Sequence, residues 1–371
     1  MTKVKEIVER FEKFAPQDMA EPGDPVGLQL GSLSAEVKKM MVTLDVRPEV
    51  VKEAIDQQVD FIFAHHPAMF HPVKHFDLSV PQNQMYADLI KHGITVYAAH
   101  TNLDNAHDGM NDWLAAALGL TATSSLLPLK EEPLDQLCVY VPRTAAAAVR
   151  RALAQAGAGS IGNYTGCSYT AMGTGRFLPN QAAQPLIGRV NQPSQAVEEK
   201  IEVFVKPQVV SQAIQAMLAA HPYEEPVYYL VPVHGLNQKY GMGRVGQLKQ
   251  PMTVEEFALK CKQIFQIPEL RVISPNLNQI ISRVAVLGGS GSQFYPAALQ
   301  AHADVYLTGD LTYHTGHDIL ATGLTVIDPG HHIESICKPK LKHLFEKWRS
   351  ENDWQFSIIA SKLNTDPFKF I

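Results

Sequence analysis

Short apolar runs, each cut off by a polar cluster and most followed by a helical stretch, set the architecture of this 371-residue chain. Lys39 to Asp45, Asp60 to Ala64 and Ile94 to Ala99 read as strands. They stop at Asp45, at His65-His66-Pro67 and at His100-Thr101-Asn102-Leu103-Asp104. Residues 2–14, 48–57, 82–92 and 109–118 carry apolar positions at helical spacing. Between the first helix and the first strand, Pro16, Pro22, Gly23, Pro25 and Gly27 mark a loop. Strand and helix in alternation predict a layered α/β domain with a mainly parallel sheet.

The rhythm changes near Pro128. Leu137 to Pro142 reads as a strand, residues 144–156 as an Ala-rich helix and the following stretch as a Gly-rich loop. Glu199 to Val205 is a strand, 207–220 a helix and Pro226 to Val233 a strand. That order, one strand short of β-α-β-β-α-β, resembles a ferredoxin-like α+β module, and the glycines from Gly235 to Gly246 lead back out of it. The α/β pattern then resumes: a helix from Thr253 to Phe265, strands at Arg283–Leu287, Asp304–Thr308 and Leu324–Asp328, helices at 294–301 and about 333–347. The expected organisation is one α/β core built from two halves, residues 1–128 and 241–371, with an inserted module at 129–240.

Apolar residues at 46% suit a sizeable core, and a net charge of −5 lacks the basic excess of a phosphate-backbone binder. Nucleic acid is therefore not an expected partner. No stretch approaches the roughly 18 apolar residues of a membrane span, and the charged N-terminal segment lacks a signal-peptide core. Cys138, Cys167, Cys261 and Cys337 form no CxxC pair, which predicts free thiols and a cytoplasmic location.

Ligands of open α/β sheets gather beyond the carboxyl ends of the strands. Here those ends carry His65-His66, His100 to Asp104, Gly309-Asp310 and Asp328 to Glu334. Imidazole and carboxylate together suit zinc, iron, manganese or cobalt. Adjacent histidines leave the backbone in different directions and can serve two ions, and a carboxylate can bridge them. His331 and Glu334, three apart at a helix start, share one face. Surface loop polarity is the bland alternative for any one of these clusters.

Five segments resemble the Nif-three-like family, whose members often carry the name GTP cyclohydrolase I type 2 homologue. They are Gly27-Leu28-Gln29-Leu30-Gly31, Ala64-His65-His66-Pro67, His100-Thr101-Asn102-Leu103-Asp104, Gly309 to His314, and Asp328-Pro329-Gly330-His331-His332-Ile333-Glu334. The resemblance implies a dinuclear metal site. Asp104 would share one metal with His65, His331 would join His66 on the other, and Glu334 would bridge. Many members space the last His and Glu four apart; here the spacing is three. His332, two before Glu334, would point elsewhere, so His331 is preferred. Members similar to this chain carry a PII- or CutA-like insert, with motifs like Gly173 to Phe177 and His221 to Pro226, and the family core forms toroidal hexamers. A homohexamer is the expected assembly.

Two functions are compatible. One is a metal-dependent hydrolase holding two divalent ions (zinc, iron or manganese) and acting on a small molecule, either a nucleotide of GTP type or a phosphoester. Glu334 would then fix the metal spacing, and His100 or His314 would relay protons or serve as hydrogen-bonded structural groups. The other is a non-catalytic metal-binding or small-molecule-sensing ring protein. Gly288 to Ser292, between a strand and a helix, reads as a phosphate-holding loop or as a plain tight turn; it lacks the P-loop lysine. His221 to Pro226 reads as a ligand motif with Arg176 beside it, or as a helix-ending turn.

Overall fold

The computed structural model describes residues 2–131, 134–161, 164–233 and 239–371. Gly235, part of the expected return segment, lies outside the described residues. The chain divides into two compact units, Met1–Lys130 with Lys239–Ile371, and Glu131–Gln238.

The first unit holds two sheets, each built mainly from one half of the chain and completed at an edge by a strand of the other. One runs in the order Gly27–Leu30, Thr95–Ala98, Phe61–Ala64, Lys39–Thr43, Ser357–Ala360. Its last four strands are parallel, and Gly27–Leu30 closes the edge antiparallel. Side chains alternate across a strand, and here both faces are covered. Met40, Val42, Phe61 and Phe63 enter one apolar cluster. Met41, Ile62, Ala64 and Val96 enter a second, beneath the helices Pro48–Asp56 and Pro81–Lys91. A strand buried on both faces reads as a continuous apolar run, which is why these strands stand out in the sequence.

The other sheet runs Arg271–Ile273, Thr325–Asp328, Val305–Leu307, Ile280–Val286, Lys239–Thr253, Leu120–Glu131. Its three central strands are parallel, and Arg271–Ile273 and Lys239–Thr253 flank them antiparallel. Val284, Val286, Leu307 and Ile327 share the first cluster with Phe61 and Phe63, so the two halves bury one core. Its aromatic centre is Phe63, whose ring centroid lies 4.7 Å from that of Phe11 and 4.8 Å from that of Phe345. Buried Arg244 adds a polar tie: it grips Asp112 through Nε (2.6 Å) and Nη2 (2.7 Å) and donates to the carbonyls of Gly241, Gly243 and Ala106.

The second unit is a four-stranded antiparallel sheet, ordered Tyr169–Phe177, Ser194–Val205, Leu134–Pro142, Tyr228–Val233. The helices Ala146–Gln155 and Pro207–Ala220 pack on it. The stretch read as a Gly-rich loop contains the strand Tyr169–Phe177. That strand is mostly exposed and so has no apolar alternation to announce it. All four cysteines are free, with Cys167 only partly buried. Among the described residues no helix is long and apolar enough to cross a membrane.

Candidate metal centre

His65 and His66 continue directly from the strand Phe61–Ala64. Their amides still bond to the carbonyls of Thr43 (3.1 Å) and Leu44 (2.9 Å), which fixes both at the sheet's carboxyl end. Asp104 lies on the short helix Thr101–Asn105, one strand over. Asn102 and Asn105 hold that helix by donating to the carbonyls of Ala15 and Met19, each at 2.8 Å. His331 and Glu334 come from the other half, on a 3₁₀ turn spanning His331–Ile336 that precedes the helix Cys337–Glu351. In a 3₁₀ turn residues three apart eclipse, so the spacing of three puts both side chains on one face.

These five side chains converge. Possible ligand atoms of His65, Asp104 and Glu334 lie within 4.8 Å of one another, as do those of His66, His331 and Glu334. Glu334 belongs to both groups. Its Oε2 is 3.1 Å from Nε2 of His66, 3.1 Å from Nε2 of His331 and 3.7 Å from Nε2 of His65.

Each imidazole is anchored through Nδ1 to an oxygen acceptor. The partners are the Ala99 carbonyl for His65 (2.8 Å), Asp45 for His66 (2.7 Å) and Asp310 for His331 (2.7 Å). An acceptor at Nδ1 places a proton there and leaves Nε2 to face the centre, the usual arrangement behind a metal-binding histidine. Burial drives the His65 ring neutral, pushing its pKa down to about 3. Burial also opposes charge on His66 and His331. Hydrogen bonds outweigh it, from Asp45 and Glu334 to His66 and from Glu334 and Asp310 to His331, lifting the pKa values to about 10 and about 9. Burial, reinforced by the nearby Glu334 charge, holds the Asp104 carboxyl well above the usual range. Burial works the same way on Glu334, but the surrounding imidazoles overcome it and keep that carboxyl well below its ordinary value.

Two atoms test whether a cation fits. Nε2 of His65 and Oδ1 of Asp104 are buried with no hydrogen-bond partner. A buried polar atom without a partner is costly, and here a lone pair and a carboxylate oxygen face each other at 3.7 Å. A divalent cation accepting both resolves that cost, and the nitrogen–oxygen donor set suits zinc, iron or manganese.

Of the remaining expected residues, His100 joins the centre and His314 does not. His100 lies with its ring 5.3 Å from His65 and 5.5 Å from His66, its Nδ1 2.9 Å from Asp24. His314 is exposed on the helix Tyr313–Thr322, outside the lining of the cleft. His332 lines the cleft but belongs to neither ligand group. The cleft holds about 980 Å³.

The Gly288–Ser292 loop has a role that sequence reasoning missed. The Gly288 amide donates to Oδ1 of Asn111 (3.0 Å), whose Nδ2 donates to the Asp104 carbonyl (3.0 Å). The Gly291 amide donates to Thr308. A Cβ on Gly288 would lie 2.7 Å from Oε1 of Glu334. Glycine is there so that the backbone can lie against the Glu334 carboxylate common to both groups. Asp24, Asp45 and Asn111 were also missed as partners of the centre; for Asp45 the available signal was its place just past an apolar strand.

In the inserted unit, both ring nitrogens of His221 are used internally: Nε2 meets the Tyr140 carbonyl and Nδ1 accepts from the Tyr223 amide. Arg176, Glu198, Tyr223 and Glu225 line a separate cavity of about 430 Å³.

A family model described as Duf34/NIF3 (NGG1p interacting factor 3) matches residues 2–367. A Bacillus subtilis (strain 168) protein named GTP cyclohydrolase 1 type 2 homolog is 41% identical over 367 residues, covering 99% of this chain and 98% of its own. A Listeria innocua protein of the same name is 44% identical over 362 residues, covering 97% and 96%. The crystal structure of a Bacillus cereus protein related to NIF3 superposes with a TM-score of 0.88 at 38% identity, covering 100% of this chain and 99% of that one.

Proposed function

Because the chain belongs to the Duf34/NIF3 family, we propose that it binds two divalent metal ions and acts as a metal-dependent hydrolase on a nucleotide or other phosphoester. One ion falls to His65, Asp104 and Glu334, the other to His66, His331 and Glu334. The observation that carries the reading is the Glu334 carboxylate common to both groups, beside the partnerless His65 Nε2 and Asp104 Oδ1. When bound, such a pair supplies Lewis-acid polarisation of an oxygen and activation of water at neutral pH. Asp45 and Asp310 hold His66 and His331 in the tautomer that presents Nε2. His100, fixed at Nδ1 by Asp24, offers Nε2 as the group that accepts or returns a proton. His314, exposed and away from the cleft lining, takes no part in this proposal.

The hydrolase reading is supported by the name the relatives carry, GTP cyclohydrolase 1 type 2 homolog, which points to GTP chemistry. The homohexamer and the cytoplasmic location belong to the same proposal, as does a PII- or CutA-like identity for the inserted unit. Elemental analysis of purified protein should find zinc, iron or manganese at two ions per chain. Protein that carries none and takes up none on dialysis removes the basis of the proposal. Metal-loaded protein should turn over GTP or a member of a phosphoester panel, and Glu334→Ala should abolish that turnover.

A second reading, a non-catalytic sensor, is favoured by the 430 Å³ cavity contained within the inserted unit. Saturable small-molecule binding that Arg176→Ala abolishes, with no turnover under any loaded metal, would select it.

A further inference from the structure

The lining of the metal cleft is unexpectedly acidic. Besides the candidate ligands Asp104 and Glu334, the carboxylates of Glu21, Asp45, Glu269, Asp310 and Asp366 border it. Arg47 is the one permanent cation among the described lining residues. Two divalent ions bring four positive charges. With neutral histidines, seven carboxylates outweigh those charges and the single guanidinium, so even the loaded cleft stays net negative. A polyphosphate site has the reverse character, with arginine and lysine clamps around the metal.

The same cleft carries flat apolar surface. Phe70, Phe368 and Phe370 all line it and are 51%, 68% and 55% exposed. Phe70 follows the His65-His66 pair closely in the chain, and its ring stands at 90° to that of His100 with centroids 5.7 Å apart. Phe368 and Phe370 belong to the C-terminal tail. Thr365 pins that tail by donating to Asp45, and the Leu363 carbonyl accepts from Lys338 Nζ. Two segments distant in sequence therefore bring exposed phenyl rings to one acidic cavity. Exposed aromatic faces beside a few fixed polar groups are how small-molecule sites select planar rings.

We infer that the cleft prefers a flat heteroaromatic compound bearing at most one phosphate, a nucleoside or nucleoside monophosphate in class, and holds polyphosphates more weakly. This rests on the metal-loaded reading of the cleft and narrows its substrate. A single phosphate can neutralise charge at the metals, whereas each further one meets the surrounding carboxylates. The ring stacks on the phenyl rim.

Titration calorimetry on full-length, metal-loaded protein tests it, with guanosine, GMP, GTP and ribose 5-phosphate as probes. GMP should bind at least about tenfold more tightly than GTP, and about tenfold more tightly than ribose 5-phosphate, which lacks the ring. Phe70→Ala and Phe368→Ala should each weaken GMP about tenfold while leaving ribose 5-phosphate, metal content and melting temperature unchanged. These side chains are largely exposed, so the variants fold. GTP binding as tightly as GMP, or ribose 5-phosphate matching GMP, overturns the inference. Metal content on the same samples judges the site separately. If the protein takes up no metal, the site reading falls, and the rim is judged on the metal-free form, where Phe70→Ala must still weaken guanosine.

Discussion

Nδ1 of His66 lies 2.7 Å from the Asp45 carboxylate, and that contact turns Nε2 of the same ring onto Glu334. Partners of this kind set ligand orientation, and losing them typically costs 10–100-fold in metal affinity. Asp45→Ala should therefore weaken metal binding by about that factor, measured by competition with a chromophoric chelator. Unchanged affinity would show that Asp45 does not orient the ring.

Metal uptake should release protons. His66 and His331, raised to about 10 and about 9, carry a proton at pH 7 when no metal is bound, and a cation needs the Nε2 lone pair that the proton occupies. Apparent affinity should rise as pH rises through neutrality and level off only above about 10, where both metal-free rings are neutral. Calorimetry in buffers of differing ionisation enthalpy should count at least about two protons released at pH 7, with any further one coming from the Asp104 carboxyl that burial holds up. An affinity flat from pH 6 to 8 contradicts this.

Gly288→Ala should damage metal binding more than stability. The new Cβ meets Oε1 of Glu334 at 2.7 Å and Leu114 at 3.1 Å. The easiest relief is displacement of the carboxylate, and such sites tolerate only about 0.5 Å of error. We expect affinity to fall at least about tenfold while the melting temperature shifts little. A variant that melts early yet keeps its metal affinity would mean that the backbone moves instead.

Arg244→Met should destabilise the first unit. It leaves Asp112 without its guanidinium, with only the Asp108 amide still donating to it, and three carbonyls without their Arg244 donor. Breaking a buried pair costs about 3–5 kcal/mol; partial exposure of Asp112 puts the expectation near about 3 kcal/mol. The readout is the denaturant midpoint. Arg244→Lys should recover little, because an ammonium cannot reproduce the forked contact.

Strands buried on both faces, such as Phe61–Ala64 and Thr95–Ala98, are legible because every position but Thr95 is apolar or aromatic. Gly27–Leu30 is not: Pro22, Gly23 and Pro25 precede it and mask an edge strand that only pairing with Thr95–Ala98 explains. Ser357–Ala360 escapes too, since its place beside Lys39–Thr43 rests on a contact across more than 300 residues. Within the centre, the residue types at strand ends point to His65, His66 and Asp104. The carboxylates behind the rings, and the glycine behind Glu334, depend on close approach in space. Sequence spacing carries no record of that approach.

Because His66 and Glu334 meet across 268 residues, synthesis delivers one half of the cluster long before the other. A ribosome-bound chain that ends within the inserted unit holds His65, His66 and Asp104 but lacks the carboxylate common to both groups. On the proposed two-metal reading, such a fragment should have little grip on an ion. Firm metal retention should then mark a finished chain whose two sheets have closed on each other, and serve as a direct assay for complete maturation.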